Sequence, residues 1–169
     1  MKHLKTLLFA SLLFIGATSF SAAQSKVAHI NTTQLVDAMP EMKAAKAEIE
    51  KLTKTYEAEI KTMATELQTK MKQFQSEADT KTEEENTARV QEVQTMEQSI
   101  RQYQAQAQQD LQKKETDLLK PIFEKAKAAI DKVAKALGYE YVLDSTTGGG
   151  VLVADGKDLL EDVKKELGF

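Results

Sequence analysis

The sequence predicts an α+β protein in which a long antiparallel α-helical hairpin projects from a small β-sheet body. Apolar residues recur at helical spacing from Glu41 to Ala78, and a second apolar stripe follows in reverse order. The residue numbers of matching positions add to 167, and the centre of this symmetry lies in residues 79–87, which contain no apolar side chain. We therefore expect two helices that reverse there and pair Ala45 with Ile122, Ile49 with Leu118, Tyr56 with Leu111, Ile60 with Ala107, Leu67 with Ile100, Met71 with Met96 and Phe74 with Val93.

The first 23 residues have the layout of a cleavable secretory signal peptide. Two lysines precede an apolar run at 7–15, and small residues end the segment at Ala23. We expect cleavage near Ala23 and an exported product. No cysteine follows to carry a lipid, and no later segment is apolar enough for stable insertion into a membrane.

The composition excludes several classes of function. Cysteine is absent, which rules out disulfides and thiolate chemistry. The formal net charge is -3, and no basic stripe with interleaved aromatic residues occurs, so we expect no nucleic-acid partner.

The predicted hairpin spans residues 41–137, with its turn near 79–87. Pro40 suits the first turn of a helix, where its missing N–H is not needed. The return helix has two candidate N-caps, Thr82 in a capping-box pattern and Asn86 nearer the mirror centre. Pro121 predicts a kink at the base of the arm, and Gly138 predicts the end of the helix.

The predicted body combines residues 24–40 and 138–169. We expect strands at 26–31, 139–144 and 151–154, a short helix at 32–39 and a closing helix at 158–167. About 40 residues rarely support a core without disulfides or metal, and open sheet edges favour association of several chains. The predicted oligomerisation residues are Val27, Ile30, Val142, Leu143, Val151 and Val153.

Six side chains of the arm form the predicted binding surface for apolar segments of a partner. A two-helix arm has too little bulk to enclose all its apolar residues, and methionine adapts its shape to many partners. The alternative is that these side chains simply fill the seam between the helices. The six are Tyr56, Met63, Met71, Phe74, Met96 and Tyr103.

The sequence offers no catalytic, cofactor or metal site, and we expect no enzyme activity. His29 has no cysteine or carboxylate at metal-ligand spacing, and a structural role suits it. The glycines at 148–150 lack the lysine and helix start of a phosphate loop. The acidic run at 83–85 suits a solvated helix N-terminus.

Taken in order, these features resemble the Skp/OmpH family of periplasmic chaperones. The resemblance rests on the exported start, the strand Val27–Asn31, Met39-Pro40-Glu41, the mirrored hairpin, Pro121, the segment 138–144 and the ending 158–163. It implies a periplasmic homotrimer in which a central β-barrel carries three helical arms around a cavity. It also implies binding of unfolded outer-membrane proteins without ATP.

The tip of the arm departs from this family, whose tips are often strongly basic. Residues 76–92 contain six acidic and two basic side chains. We therefore carry over no lipopolysaccharide-binding residue. Our leading interpretation is a holdase chaperone, and the rival is a passive scaffold or spacer of the cell envelope, which would need no exposed methionine.

Overall fold

The computed structural model describes residues 26–169 of the chain, and the predicted signal peptide at 1–23 lies outside them. This part is mostly helical, with one small sheet. Its elements are, in order, β1 (Val27–Ile30), α1 (Thr32–Ala38), α2 (Pro40–Glu77), a 3-10 turn (Ala78–Thr80), α3 (Glu83–Leu137), β2 (Tyr141–Asp144), β3 (Lys157–Asp158) and α4 (Leu160–Leu167).

The two long helices α2 and α3 form the predicted hairpin. The 38 residues of α2 extend about 57 Å at ~1.5 Å per residue. Pro40 occupies the first turn, as predicted, and Glu41 lies beside it at the positive end of the helix dipole. We call the part of the hairpin beyond Ala45 and Ile122 the arm.

Of the two candidate N-caps of the return helix, Thr82 is confirmed and Asn86 is wrong, because α3 begins at Glu83 and Asn86 lies within its first turn. Thr82 is the N-cap of α3: its hydroxyl accepts the Glu85 N–H at 3.1 Å, and the Glu85 carboxylate accepts the Thr82 N–H at 2.9 Å. Asn86 instead donates from Nδ2 to the carbonyl of Ala78 at 2.9 Å, at the end of α2. The tight turn therefore leaves few helix-end groups without a partner.

Helix α3 runs through Pro121 without interruption and ends where the sequence predicts. Pro121 removes the N–H that the carbonyl of Asp117 would otherwise accept, yet the helix continues to Leu137. Gly138 then adopts a φ of 74°, and its N–H donates to the carbonyls of Ala134 and Lys135. A left-handed residue of this kind is favourable for glycine because it has no Cβ.

The sheet is parallel, with the order β2-β1-β3. The N-terminal strand therefore lies at the centre and joins the C-terminal segment, as predicted. The predicted strand at 151–154 is wrong, because the third strand is Lys157–Asp158, paired with Ala28 and His29. Lys157 and Asp158 thus occupy the edge of β1 that β2 leaves free. Within residues 26–169, the segment 151–154 has no strand to pair with.

The core lies where the sheet, the short helices and the base of the hairpin meet. This core contains more residues than the predicted body of about 40 residues could supply, because both long helices contribute to it. Alanines at 45, 126, 129 and 134 let these helices approach closely. The buried residues are Ala28, Ile30, Leu35, Val36, Met39, Met42, Ala45, Ile122, Ala126, Ala129, Val133, Ala134, Leu159, Leu160 and Val163.

A polar network around Asp144 joins β2 to the start of α1. Its carboxylate accepts the Thr32 hydroxyl at 2.6 Å, the Thr32 N–H at 3.3 Å and the Thr146 hydroxyl at 2.7 Å. Burial raises the pKa of Asp144, but the hydrogen bonds from Thr32 and Thr146 outweigh it and set the pKa at about 2. The charged form is therefore the one that the fold stabilises.

We expect Asp144→Asn to lower the free energy of unfolding by about 1 kcal/mol at neutral pH, because the amide replaces an exposed carboxylate that accepts several hydrogen bonds. The depressed pKa adds stability that is complete above the ordinary aspartate pKa near 3.8 and is lost as the pH falls through about 2. Urea unfolding at pH 7 and at pH 2 to 4 measures both effects. Asp155→Asn, at an exposed position of the same body, is the control; equal losses for the two variants would contradict the assignment.

Candidate functional site

The apolar seam of the arm is only half buried along most of its length. Leu67 and Ile100 keep part of their surface exposed, and so do Ile49, Ile60, Leu111 and Leu118. Of the seam residues beyond the core, Ala107 alone is fully buried. Each helix of the arm has one neighbouring helix within the described chain, so its flanks face solvent. The arm therefore carries a long apolar strip that the protomer does not cover.

Tyr56 and Tyr103, two of the predicted binding residues, contact each other across the seam. Their ring centroids are 5.9 Å apart at an interplanar angle of 63°, and the Tyr56 hydroxyl donates to Asp110 at 3.1 Å. Burial is the largest cause that raises the pKa of Tyr56, and the bond to Asp110 adds to it. These rings bind each other, which leaves them less surface for a partner than the prediction assumed.

Met63 and Met96 lie together at the middle of the arm. They line a small cavity of about 110 Å³ with Ile100. Met96 also lines an open groove of about 480 Å³ on the side of Thr62 and Thr65. A flexible methionine between two hollows can pack into either of them.

Another groove lies near the tip of the arm, between α2 and α3, and we call it the distal groove. It has a volume of about 700 Å³ and includes two predicted residues, Met71 and Phe74. Met71 is 47 % exposed. The groove is lined by Met71, Phe74, Gln75, Ala78, Asn86, Arg89, Val90, Val93, Gln94 and Glu97.

Two features of the distal groove were missed by the sequence analysis. Val90 is 57 % exposed and lies outside the mirrored stripe. The Arg89 guanidinium lies 4.8 Å from the centroid of the Phe74 ring and pairs with Glu77. The spacing of Asn86, Val90, Val93 and Glu97 by three or four residues was the available signal, since it places them on one face of α3.

Ion pairs connect α2 with α3 at several heights. Glu41 pairs with Lys125 near the base, Glu48 with Lys114 at 2.7 Å, and Lys70 with Glu92 towards the tip. The bond to Lys125 lowers the pKa of Glu41, while Gln73 and then Arg89 lower the pKa of Glu77. Residue numbers in the four cross-seam pairs add to between 162 and 166. The pairs confirm the mirrored arrangement to within about a helical turn.

The sheet has one face in the core and one face open. Alternation along β1 puts Ala28 and Ile30 inward, and Ile30 is only 1 % exposed. Val27, Tyr141 and Leu143 lie on the opposite side, which we call the outer face of the sheet.

The other predicted oligomerisation residues divide between core and surface. Val142 lies on the inner face of the sheet and packs against the core, because it is in register with the buried Ala28. Val151 and Val153 line a hollow of about 230 Å³ with Val27 and Leu143, beside the outer face of the sheet. Leu152, which was not predicted, is 98 % exposed between them. Ile30 and Val142 therefore serve the core of the protomer, and the other four have surface to offer a partner.

The His29 side chain contacts one residue next to each edge strand of the sheet, Ser145 after β2 and Gly156 before β3. Its Nδ1 is 3.3 Å from the Ser145 hydroxyl and its Nε2 is 3.2 Å from the carbonyl of Gly156.

Within residues 26–169, no group of three or more histidine, aspartate or glutamate side chains is arranged to hold a metal ion. Across the same residues, none of the helices combines the length and apolar character of a membrane span.

Comparisons with known proteins agree with this architecture. The family model for outer membrane protein (OmpH-like) matches residues 26–167. A crystal structure of an OmpH-like protein from Caulobacter crescentus CB15, described as a candidate outer membrane chaperone, superposes with a TM-score of 0.75 at 17% sequence identity. The match covers 85% of this chain and 83% of that one. A search of curated proteins found no significant relative.

The structural match shows a shared fold, and the family model extends over nearly all of the described residues. The residues that carried the resemblance in the sequence, from Val27 to the closing helix, lie within the matched range. The chain therefore belongs to the Skp/OmpH family.

Proposed function

We propose that this protein is an ATP-independent holdase chaperone of the periplasm. In this proposal the signal peptide is removed near Ala23, and the mature protein binds unfolded outer-membrane proteins and prevents their aggregation. The observation that carries the proposal is the half-buried apolar seam that ends in the open distal groove. Membership of the Skp/OmpH family and the fold shared with an OmpH-like protein support it.

The arm suits weak binding at many points. Apolar surface is present at three heights of the arm: Tyr56 with Tyr103, then Met63 with Met96, then Met71 with Phe74 in the distal groove. Several weak contacts on one flexible client act together through effective concentration, so no single tight site is needed. Each contact can also break alone, which allows release without a cofactor or ATP.

We further propose that the body assembles into a homotrimer with a central β-barrel. The outer face of the sheet presents Val27, Tyr141 and Leu143 to solvent, and Val153 is exposed beside it. The apolar segment 151–154 has the composition of a strand but pairs with no strand among residues 26–169. Pairing with a neighbouring copy would give it one, and would cover the apolar face that the protomer leaves open. Three arms around a shared cavity would then surround a client.

We expect the purified mature protein at molar excess to suppress the turbidity of a denatured outer-membrane barrel protein diluted from urea. Replacing Met63, Met71 and Met96 together with glutamine should weaken suppression several-fold, because polar side chains remove apolar contact surface while keeping helix propensity. The triple leucine variant at the same positions is the matched control and should retain suppression. Circular dichroism checks that helicity is unchanged.

Unchanged aggregation with the wild-type protein would refute the holdase. The rival hypothesis, a passive spacer of the cell envelope, predicts that a fluorescent apolar probe does not bind. The holdase predicts probe binding that the glutamine variant loses and the leucine variant keeps.

We expect the native particle to have three times the protomer mass in light scattering or native mass spectrometry. Leu143→Asp should convert it to smaller species, since a charge on the outer face of the sheet would be buried in the assembly. Thr147→Asp adds the same charge to an exposed loop and serves as the control. A monomeric wild-type protein at micromolar concentration, or a trimer unaffected by Leu143→Asp, would contradict this interface.

A further inference from the structure

We propose that the distal groove selects extended client segments in which apolar side chains are flanked by lysine or arginine. This inference rests on the proposed function and specifies one class of client segment for one part of the arm. It follows from an apolar floor, an acidic tip beside it and neighbouring basic side chains of which most are already paired.

The apolar part of the floor is formed by Met71, Phe74, Val90 and Val93. Met71 and Val90 are exposed on either side of it, one from each helix. Its volume of about 700 Å³ lies within the usual range for ligand pockets of roughly 300–1,000 Å³. The floor therefore offers room and apolar contact for side chains of an extended chain.

The rim of the groove is negative. Glu97 lines the groove itself but pairs with Arg101 at 3.8 Å, so the unpaired negative charge comes from the tip. Asp79, Glu83 and Glu84 are exposed at the tip, and their carboxylates form no ion pair with any residue in 26–169. Their charges act over a screening length of about 10 Å at 0.1 M salt, which is comparable to the reach of a flanking lysine.

Most of the basic side chains near the groove are already paired. Lys70 pairs with Glu92, Lys81 with Glu85, and Arg89 with Glu77. Arg89 is also held against the Phe74 ring, so it forms part of the floor. Among residues 70–101, Lys72 is the one basic side chain without an ion pair, whereas three carboxylates, those of Asp79, Glu83 and Glu84, have none. A cationic segment would therefore meet more unpaired opposite charge than an anionic one.

One donor in the floor is left without a partner. Nη1 of Arg89 is buried and has no hydrogen-bond acceptor within the described residues. An extended client segment carries backbone carbonyls, and a small shift of the surrounding side chains on docking would let one of them accept this bond. Another copy of this chain is a poorer occupant, since its net charge is -3 and the rim would repel it.

Three labelled peptides with the same apolar centre test the proposal, flanked by two lysines, two glutamines or two glutamates on each side. Fluorescence anisotropy with the full mature protein measures their affinities. We expect the lysine-flanked peptide to bind at least about 10-fold more tightly than the glutamate-flanked peptide at roughly 0.05 M salt. The preference should fall to about threefold or less near 0.3 M salt.

Two sets of variants separate charge from apolar contact. Changing Asp79→Asn, Glu83→Gln and Glu84→Gln together should remove the preference for lysine while the glutamine-flanked peptide binds as before. Val90→Gln should weaken all three peptides several-fold. Phe123→Gln, at an exposed aromatic position outside the groove, is the matched control and should change none of them.

Equal affinity for the lysine-flanked and glutamate-flanked peptides would overturn the proposal, as would equal losses from Val90→Gln and Phe123→Gln. A changed particle mass in Val90→Gln would also overturn it, because the groove would then be an interface between copies. A wild-type protein that suppresses aggregation without charge preference would refute this inference alone. One that neither binds peptides nor suppresses aggregation would refute the proposed function as well.

Discussion

Two packed helices cannot bury an apolar stripe that runs along both of them, and the rest of this structure depends on that constraint. At the base, the sheet and helices α1 and α4 supply the missing neighbours, so Ile122, Ala126 and Val133 are fully buried. Beyond the base those neighbours end, and the same apolar spacing yields half-exposed side chains such as Leu67 and Ile100. A single pattern therefore makes a core at one end and a partly exposed apolar surface at the other.

The arm is held together by contacts that are weak one by one. Exposed ion pairs such as Glu48 with Lys114 contribute at most about 1 kcal/mol each, and the contact of Tyr56 with Tyr103 adds a similar amount. The capping box at Thr82 and the bond from Asn86 close the tip in the same way. Distributed contacts define the register of the helices without requiring a dry, rigid seam. Such a seam would leave a client little to bind.

The long helices could be predicted from the sequence because an apolar residue recurs at nearly every helical turn. Many positions therefore indicate the same pairing of the two helices. Pro40 and Gly138 were predictable because their chemistry acts locally, through a fixed φ in one case and freedom from a Cβ in the other. The segment 151–154 was not, because β propensity describes a residue and says nothing of whether an edge is free to pair with it. Here residues 157–158 fill that edge.

The exposed apolar surface of the arm could be predicted only in part. Met71 and Phe74 belong to the mirrored stripe and do line the distal groove, whereas Val90 lies beside the stripe and needed coordinates to be found. Ile30 was assigned to an interface because alternation along a strand does not reveal which face meets the core. In both cases the deciding contact comes from residues distant in the sequence.

The most direct test of the folded-back arm uses the absence of cysteine from the chain. A variant carrying Leu67→Cys and Ile100→Cys, treated with a short thiol cross-linker and analysed on a denaturing gel, reports whether the two positions meet within one molecule. The account predicts a cross-linked band at the protomer mass that mass spectrometry assigns to one chain. Cross-links that form only between separate chains would contradict it.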